Sequence, residues 1–175
     1  MFRPLCLFLF SLGLLLAAPA AAQTLPPVAP SSPLKTYALR LRPGDDLRQQ
    51  LNAFALANGL QAAALLTCVG SLTDVTLRLA NQPGPTHYRG HFEILSLVGT
   101  FSASGSHLHL AVADSTGRTL GGHLLDGCRV YTTAEIVLGE LTELEFGREI
   151  DPTFGYQELS VRPRVKPAGQ RPHKP

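Results

Sequence analysis

The chain has 175 residues, of which 45% are hydrophobic and 16% charged, and its formal net charge is +2. The positive charge comes from the two ends, because residues 34–161 contain nine basic and 13 acidic side chains. This balance argues against a broad basic surface for nucleic acid, so we expect no nucleic-acid partner from charge alone.

The first 22 residues have the order of a secretory signal peptide. Arg3 precedes an apolar run from Leu5 to Leu16, and small residues follow up to Ala22. The run is short for a membrane span, and Cys6 lies too far upstream to serve as a lipid anchor at the cleavage point. We predict cleavage after Ala22, a mature chain without a transmembrane segment, and a periplasmic or secreted location.

Two further segments have the composition of solvated chain. Residues 23–33 are rich in proline, serine and alanine and predict a linker. Residues 162–175 combine five basic side chains and four prolines with no acid, which predicts a disordered tail. The folded domain is therefore expected at residues 34–161.

One segment has a strong helical pattern. In residues 45–59, Asp45 or Asp46 can cap the first turn and Gly59 can end the helix. The predicted apolar stripe consists of Leu47, Leu51, Phe54 and Leu56.

The sequence after the helix is typical of β-strands. Short apolar or alternating runs occupy residues 62–70, 71–80, 91–101, 107–124, 131–138, 141–146 and 156–161. One helix followed by many strands predicts an α+β domain with a largely antiparallel sheet. The common phosphate-loop, nucleophile-elbow and CxxC motifs are absent from the sequence, so an enzymatic role stays uncertain.

Two cysteines, Cys68 and Cys128, remain after the predicted cleavage. Both lie in apolar, strand-like surroundings, which favours two buried free thiols. A disulfide between them is the alternative that an oxidising compartment permits.

Residues 106–124 predict a β-hairpin with a defined register. Gly117 in the sequence DSTGR suits the left-handed position of a three-residue loop formed by residues 115–117. Pairing outward from Asp114 and Arg118 places His109 opposite His123. One face then collects leucines and a valine, whereas the other collects three histidines.

These three histidines are the candidate metal ligands. His107 and His109 share one face of their strand, and His123 lies opposite His109, so three imidazoles can converge. Three neutral nitrogens with an open fourth position are typical of a reactive or ligand-accepting zinc site. The alternative is that they only form hydrogen bonds or pack in an oligomer. His87, His91 and His173 are expected to face solvent.

Two carboxylates lie within apolar strands, Glu93 and Glu135. A buried charge needs a partner, and the simpler choice is an arginine such as Arg78 or Arg129. The alternative is a contact behind a metal-bound histidine or general-base work on a water molecule.

Several segments, taken in order, resemble the plants and prokaryotes conserved (PPC) domain, also called DUF296. They are LRPGDDL (41–47), GSLTDVTLR (70–78), GHFEILSLVGTF (90–101), HLHLAVADSTGRTLGGHLLDG (107–127), VYTTAEIVLGEL (130–141) and REIDPTFGYQEL (148–159). The histidines of the hairpin belong to the family motif. Two positions depart from it: His91 replaces a common arginine, and Phe154 stands where threonine is usual.

The resemblance implies a sheet of about seven strands and a homotrimer, in which a small-molecule ligand could occupy clefts between subunits. Plant relatives carry AT-hooks before the domain, and prokaryotic relatives are often labelled DNA-binding. This sequence contains no AT-hook. The sequence thus leaves three functions open: zinc binding, self-association or partner binding without metal, and DNA binding.

Overall fold

A computed structural model describes residues 29–165 of the chain. The predicted signal peptide, the first part of the predicted linker and residues 166–175 of the predicted tail lie outside the described residues. No helix within residues 29–165 is long and apolar enough to cross a membrane.

The described chain forms one α-helix and eight β-strands. In chain order they are β1 (Leu34–Leu41), α1 (Leu47–Ala57), β2 (Ala63–Arg78), β3 (Thr86–Ser102), β4 (Gly105–Asp114), β5 (Thr119–Leu124), β6 (Arg129–Leu141), β7 (Leu144–Ile150) and β8 (Gln157–Pro163). The predicted α+β class with an antiparallel sheet and one helix is confirmed.

Six strands form the main sheet in the order β1-β6-β2-β3-β4-β5, and every pairing is antiparallel. The end of β2 also pairs with β5, through Leu77 with Leu124 and Arg78 with His123. Strands β2 to β5 therefore curl into a closed unit instead of ending in a free edge. Strands β7 and β8 form a separate two-stranded sheet.

Helix α1 begins where the sequence predicts. The Asp46 carboxylate accepts a hydrogen bond from the Gln49 amide at 3.1 Å, which caps the helix, and a second from the Gly127 amide at 2.6 Å. The buried stripe differs from the prediction at one position, because Leu56 is 70% exposed and Ala55 is buried. Positions 47, 51 and 55 recur every four residues and face the sheet.

The core lies between α1 and one face of the curled sheet. Alternate residues of β4, namely Leu108, Leu110 and Val112, are buried there. Cys68 and Cys128 are also buried and are not bonded to each other. Burial raises the pKa of Cys68 to about 12 and that of Cys128 to about 11, so both groups stay protonated at neutral pH.

The structure differs from the sequence prediction in several details of the β-structure. Strand β1 was not predicted, the two runs over residues 62–80 form one long irregular strand, and the strand count is eight. Strand β8 continues to Pro163, so two residues of the predicted tail pair with β7.

The approach of β5 to β2 leaves no room for a side chain at Gly122. A Cβ atom there would lie 2.8 Å from the carbonyl oxygen of Arg78, whereas at the neighbouring Gly121 the nearest atom would be 3.4 Å away. We predict that Gly122→Ala lowers the free energy of unfolding by about 1–3 kcal/mol, because β5 must move away from β2.

The matched variant Gly121→Ala should change stability by about 0.5 kcal/mol or less. Urea unfolding followed by circular dichroism measures both values. Equal stability of the two variants would contradict the tight approach of β5 to β2.

Candidate metal centre

The turn between β4 and β5 has the predicted three-residue loop. Gly117 has a φ of +83°, and the amide of Asp114 donates to the Arg118 carbonyl at 3.0 Å. The Asp114 carboxylate accepts hydrogen bonds from the backbone amides of Thr116 at 2.8 Å and Arg118 at 3.1 Å. The loop is therefore held by its own polar groups, and it fixes the register of the hairpin.

The register is the one predicted from sequence. His109 lies opposite His123, Leu110 opposite Gly122, and Val112 opposite Leu120. Because the leucines and valine of this hairpin face the core, the three histidines occupy the opposite face, with His107 and His109 exposed and His123 partly buried.

The three imidazole rings converge. Nε2 of His109 lies 3.2 Å from Nε2 of His107 and 3.2 Å from Nδ1 of His123. The three potential ligand atoms all lie within 4.8 Å of one another, so the histidines are close enough to hold one metal ion.

The two 3.2 Å separations around Nε2 of His109 suit tetrahedral coordination better than hydrogen bonding. Ligand atoms about 2.0–2.1 Å from a tetrahedral zinc ion lie about 3.3–3.4 Å apart. Nε2 of a neutral histidine carries either one proton or one lone pair, so the nitrogen of His109 cannot make two good hydrogen bonds at once. A shared cation, by contrast, satisfies all three nitrogens.

The surroundings favour the neutral form of two of these rings. Burial, followed by the positive charge of Arg148, holds the pKa of His107 below its ordinary value. Burial, followed by the charge of Arg78, does the same for His123. Neutral imidazole is the form that binds metal, so the folded protein keeps these two ligands available at lower pH than isolated histidine.

The two carboxylates considered in the sequence lie elsewhere on the sheet. Glu93 is in β3 and pairs in register with Ser71 of β2 and Ala113 of β4. Glu135 is in β6 and pairs in register with Val69 of β2 and Arg40 of β1. Both side chains are exposed, so neither carboxylate is a buried charge that needs a partner, as the sequence had suggested. Within residues 29–165 neither forms a hydrogen bond or an ion pair, with a histidine or with an arginine.

The remaining described histidines stand apart from the cluster and are exposed. Nδ1 of His87 shares a hydrogen bond of 3.0 Å with the Thr76 hydroxyl, and the ring of His91 lies 4.5 Å from that of Tyr131. His173 lies outside the described residues.

Three residues beside the cluster were not identified as site residues from sequence. Arg78, Arg148 and Glu158 line an open groove together with His107 and His123. Arg78 arrives there because β5 pairs with the end of β2, and the other two arrive on β7 and β8. Both placements depend on contacts between strands that are distant in sequence, so the residues around each position do not indicate them.

Comparison with known proteins agrees with the motifs in the sequence. The Plants and Prokaryotes Conserved (PCC) domain matches residues 29–142, which include the whole histidine hairpin. The chain belongs to the PCC domain family.

The chain is also similar to parts of longer proteins. The chain is 50% identical over 142 residues to the bifunctional protein GlmU from Synechococcus sp. (strain JA-3-3Ab), covering 81% of this chain and 23% of that protein. It is 30% identical over 144 residues to AT-hook motif nuclear-localized protein 13 of Arabidopsis thaliana, covering 75% of this chain and 32% of that protein. The chain spans about a quarter to a third of the length of these relatives.

Two solved structures share the fold. A hypothetical protein from Salmonella has 48% identity and a TM-score of 0.77, with 78% of this chain and 99% of that chain covered. The metal-containing protein AF0104 from Archaeoglobus fulgidus has 26% identity and a TM-score of 0.62, with 71% of this chain and 91% of that chain covered.

Proposed function

We propose that this PCC-domain protein binds one divalent metal ion, zinc, through His107, His109 and His123. The observation that carries the proposal is the pair of 3.2 Å separations around Nε2 of His109. Three nitrogen ligands favour zinc over calcium or magnesium, which prefer oxygen.

Two further observations support the proposal. The cluster is exposed on one side, so an ion can enter without unfolding the protein. AF0104, which shares the fold, is a metal-containing protein. Bound to three histidines, zinc would supply a Lewis acid with one position open to an outside ligand, whereas a closed structural site would need a fourth protein ligand.

We also propose that the protein is exported and assembles as a homotrimer. Export is supported by the order of charged, apolar and small residues before position 23. Self-association is supported by four apolar side chains on the neighbouring strands β2 and β3, each more than half exposed: Leu66, Val69, Leu95 and Val98. Val98 pairs in register with His109, so this apolar patch borders the histidine cluster.

DNA binding is not the function we propose, although the family includes AT-hook proteins. The domain carries nine basic and 13 acidic residues between positions 34 and 161. Since DNA affinity comes mainly from contacts between basic side chains and phosphates, such a domain has little to bind with.

Removal of two ligands should abolish zinc binding. We predict that untagged wild-type protein carries about one zinc ion per chain and that the His107→Ala, His109→Ala double mutant carries almost none, because one histidine cannot hold the ion alone. Elemental analysis by mass spectrometry measures the metal, and circular dichroism should show an unchanged fold because both side chains are exposed.

The matched control is the His87→Ala, His91→Ala double mutant, which removes two exposed histidines that lie apart from the cluster and should keep the zinc. Equal zinc content in the two double mutants would contradict the proposed site.

Expression of the full 175-residue chain in a Gram-negative host tests export and assembly together. We predict that native mass spectrometry of the periplasmic fraction shows three chains, each lacking residues 1–22. Full-length chains retained in the cytoplasm would contradict export, and monomers at micromolar concentration would contradict the trimer.

A further inference from the structure

The histidine cluster opens on one side into a groove of about 760 Å³. This volume lies within the range of about 300–1,000 Å³ that is usual for small-molecule sites. Strand β2 contributes Arg78 to the groove, β7 contributes Arg148, β8 contributes Glu158, and His107 and His123 form the part that belongs to the proposed metal site.

Arg78 has no acceptor within the described chain. Its side chain is only partly exposed, yet it forms no hydrogen bond or ion pair with any residue between 29 and 165. Arg48, at the edge of the same groove, differs because it pairs with Asp126 at 3.0 Å. Since no protein acceptor in this part of the chain occupies them, the five N–H donors of Arg78 are available to a ligand that enters the groove.

The side chain of Arg148 has almost as few hydrogen-bond partners as that of Arg78. Within the described residues the Arg148 side chain makes one long hydrogen bond, of 3.5 Å from Nη2 to the Thr100 hydroxyl, and pairs with no carboxylate. Both arginines line the groove together with His107 and His123, and Arg78 pairs in register with His123. The two guanidiniums therefore lie at the border of the histidine cluster.

The charges around this border do not balance. Arg78 and Arg148 carry two positive charges, and Glu158 is the carboxylate among the groove-lining residues. A divalent ion on three neutral histidines would raise the local sum to three positive charges. Such a concentration of positive charge favours a negatively charged ligand over an uncharged one and repels a cationic ligand.

We propose that the groove binds a small-molecule oxyanion, a carboxylate or a phosphate, through Arg78 and Arg148, with one oxygen directed toward the metal-binding histidines. The planar guanidinium fork matches the two oxygens of either group, which a lysine at the same place would not do. Asn81 and Tyr156 also line the groove and can contact the uncharged part of the ligand. This inference rests on the proposed function, because the metal site forms one end of the groove.

The test uses protein loaded with Co²⁺, whose visible absorption changes when a ligand binds beside it. Inorganic phosphate and acetate are titrated separately into wild type and into Arg78→Gln and Arg148→Gln. We predict saturable spectral changes in wild type, with the tighter of the two ions identifying the class of oxyanion. Each arginine variant should weaken that binding by about tenfold or more, because it loses a charge-assisted hydrogen bond.

The control variant is Arg118→Gln, which removes an exposed arginine from the far end of the hairpin and should bind both ions as wild type does. Metal content is measured for every variant before titration. Full metal loading with no anion binding, or with equal binding in Arg78→Gln and Arg118→Gln, would overturn this inference and leave the metal site standing. A wild-type protein that takes up no metal would instead overturn the proposed function itself.

Discussion

The pairing of β5 with the end of β2 is the constraint on which the candidate site depends. It joins Arg78 to His123 across two strands that are 45 residues apart in sequence. The same pairing closes the curl of β2 to β5, so the hairpin cannot bend away from the sheet. Gly122 permits the closure because a side chain there would meet the Arg78 carbonyl oxygen. The position of Arg78 beside His123, and with it one side of the groove, thus follows from this backbone contact.

The arrangement of side chains around this contact is electrostatically unfavourable without a ligand. Three imidazole nitrogens face one another, and two guanidiniums lie at their border. Lone pairs that face one another repel, as do the two guanidinium charges, whereas the pKa values of His107 and His123 are lowered first by burial and then by nearby positive charges. A cation shared by the nitrogens and an anion shared by the arginines would each relieve part of this repulsion. Metal and anion would then support each other's binding.

The local parts of this site could be predicted from sequence because they depend on short-range chemistry. Gly117 specifies the turn, alternation separates Leu108 from His107 and His109, and the register that follows places His123. These features are set within twenty residues of chain. The start of helix α1 could also be predicted from sequence, because Asp46 caps its first turn. The burial of Leu56 was predicted wrongly, because an apolar residue need not face the core.

The long-range parts could not be predicted in this way. The residues around Arg78 and Arg148 show only an ordinary strand pattern. Arg78 lies near the histidines because β2 pairs with β5, and Arg148 because β7 lies beside the groove. Glu93 and Glu135 had the more suggestive local pattern, a carboxylate among apolar residues. Both point to solvent, because one face of this sheet is not covered by the helix within the described chain.

X-ray absorption spectroscopy at the zinc edge of the metal-loaded protein tests the central claim most directly, since it reports the number and kind of ligand atoms around the ion. A shell of four light atoms at about 2.0–2.1 Å, with multiple scattering from three imidazoles, is the result that the geometry of His107, His109 and His123 predicts. Fewer than three imidazoles, a sulfur neighbour or six oxygen ligands would contradict it.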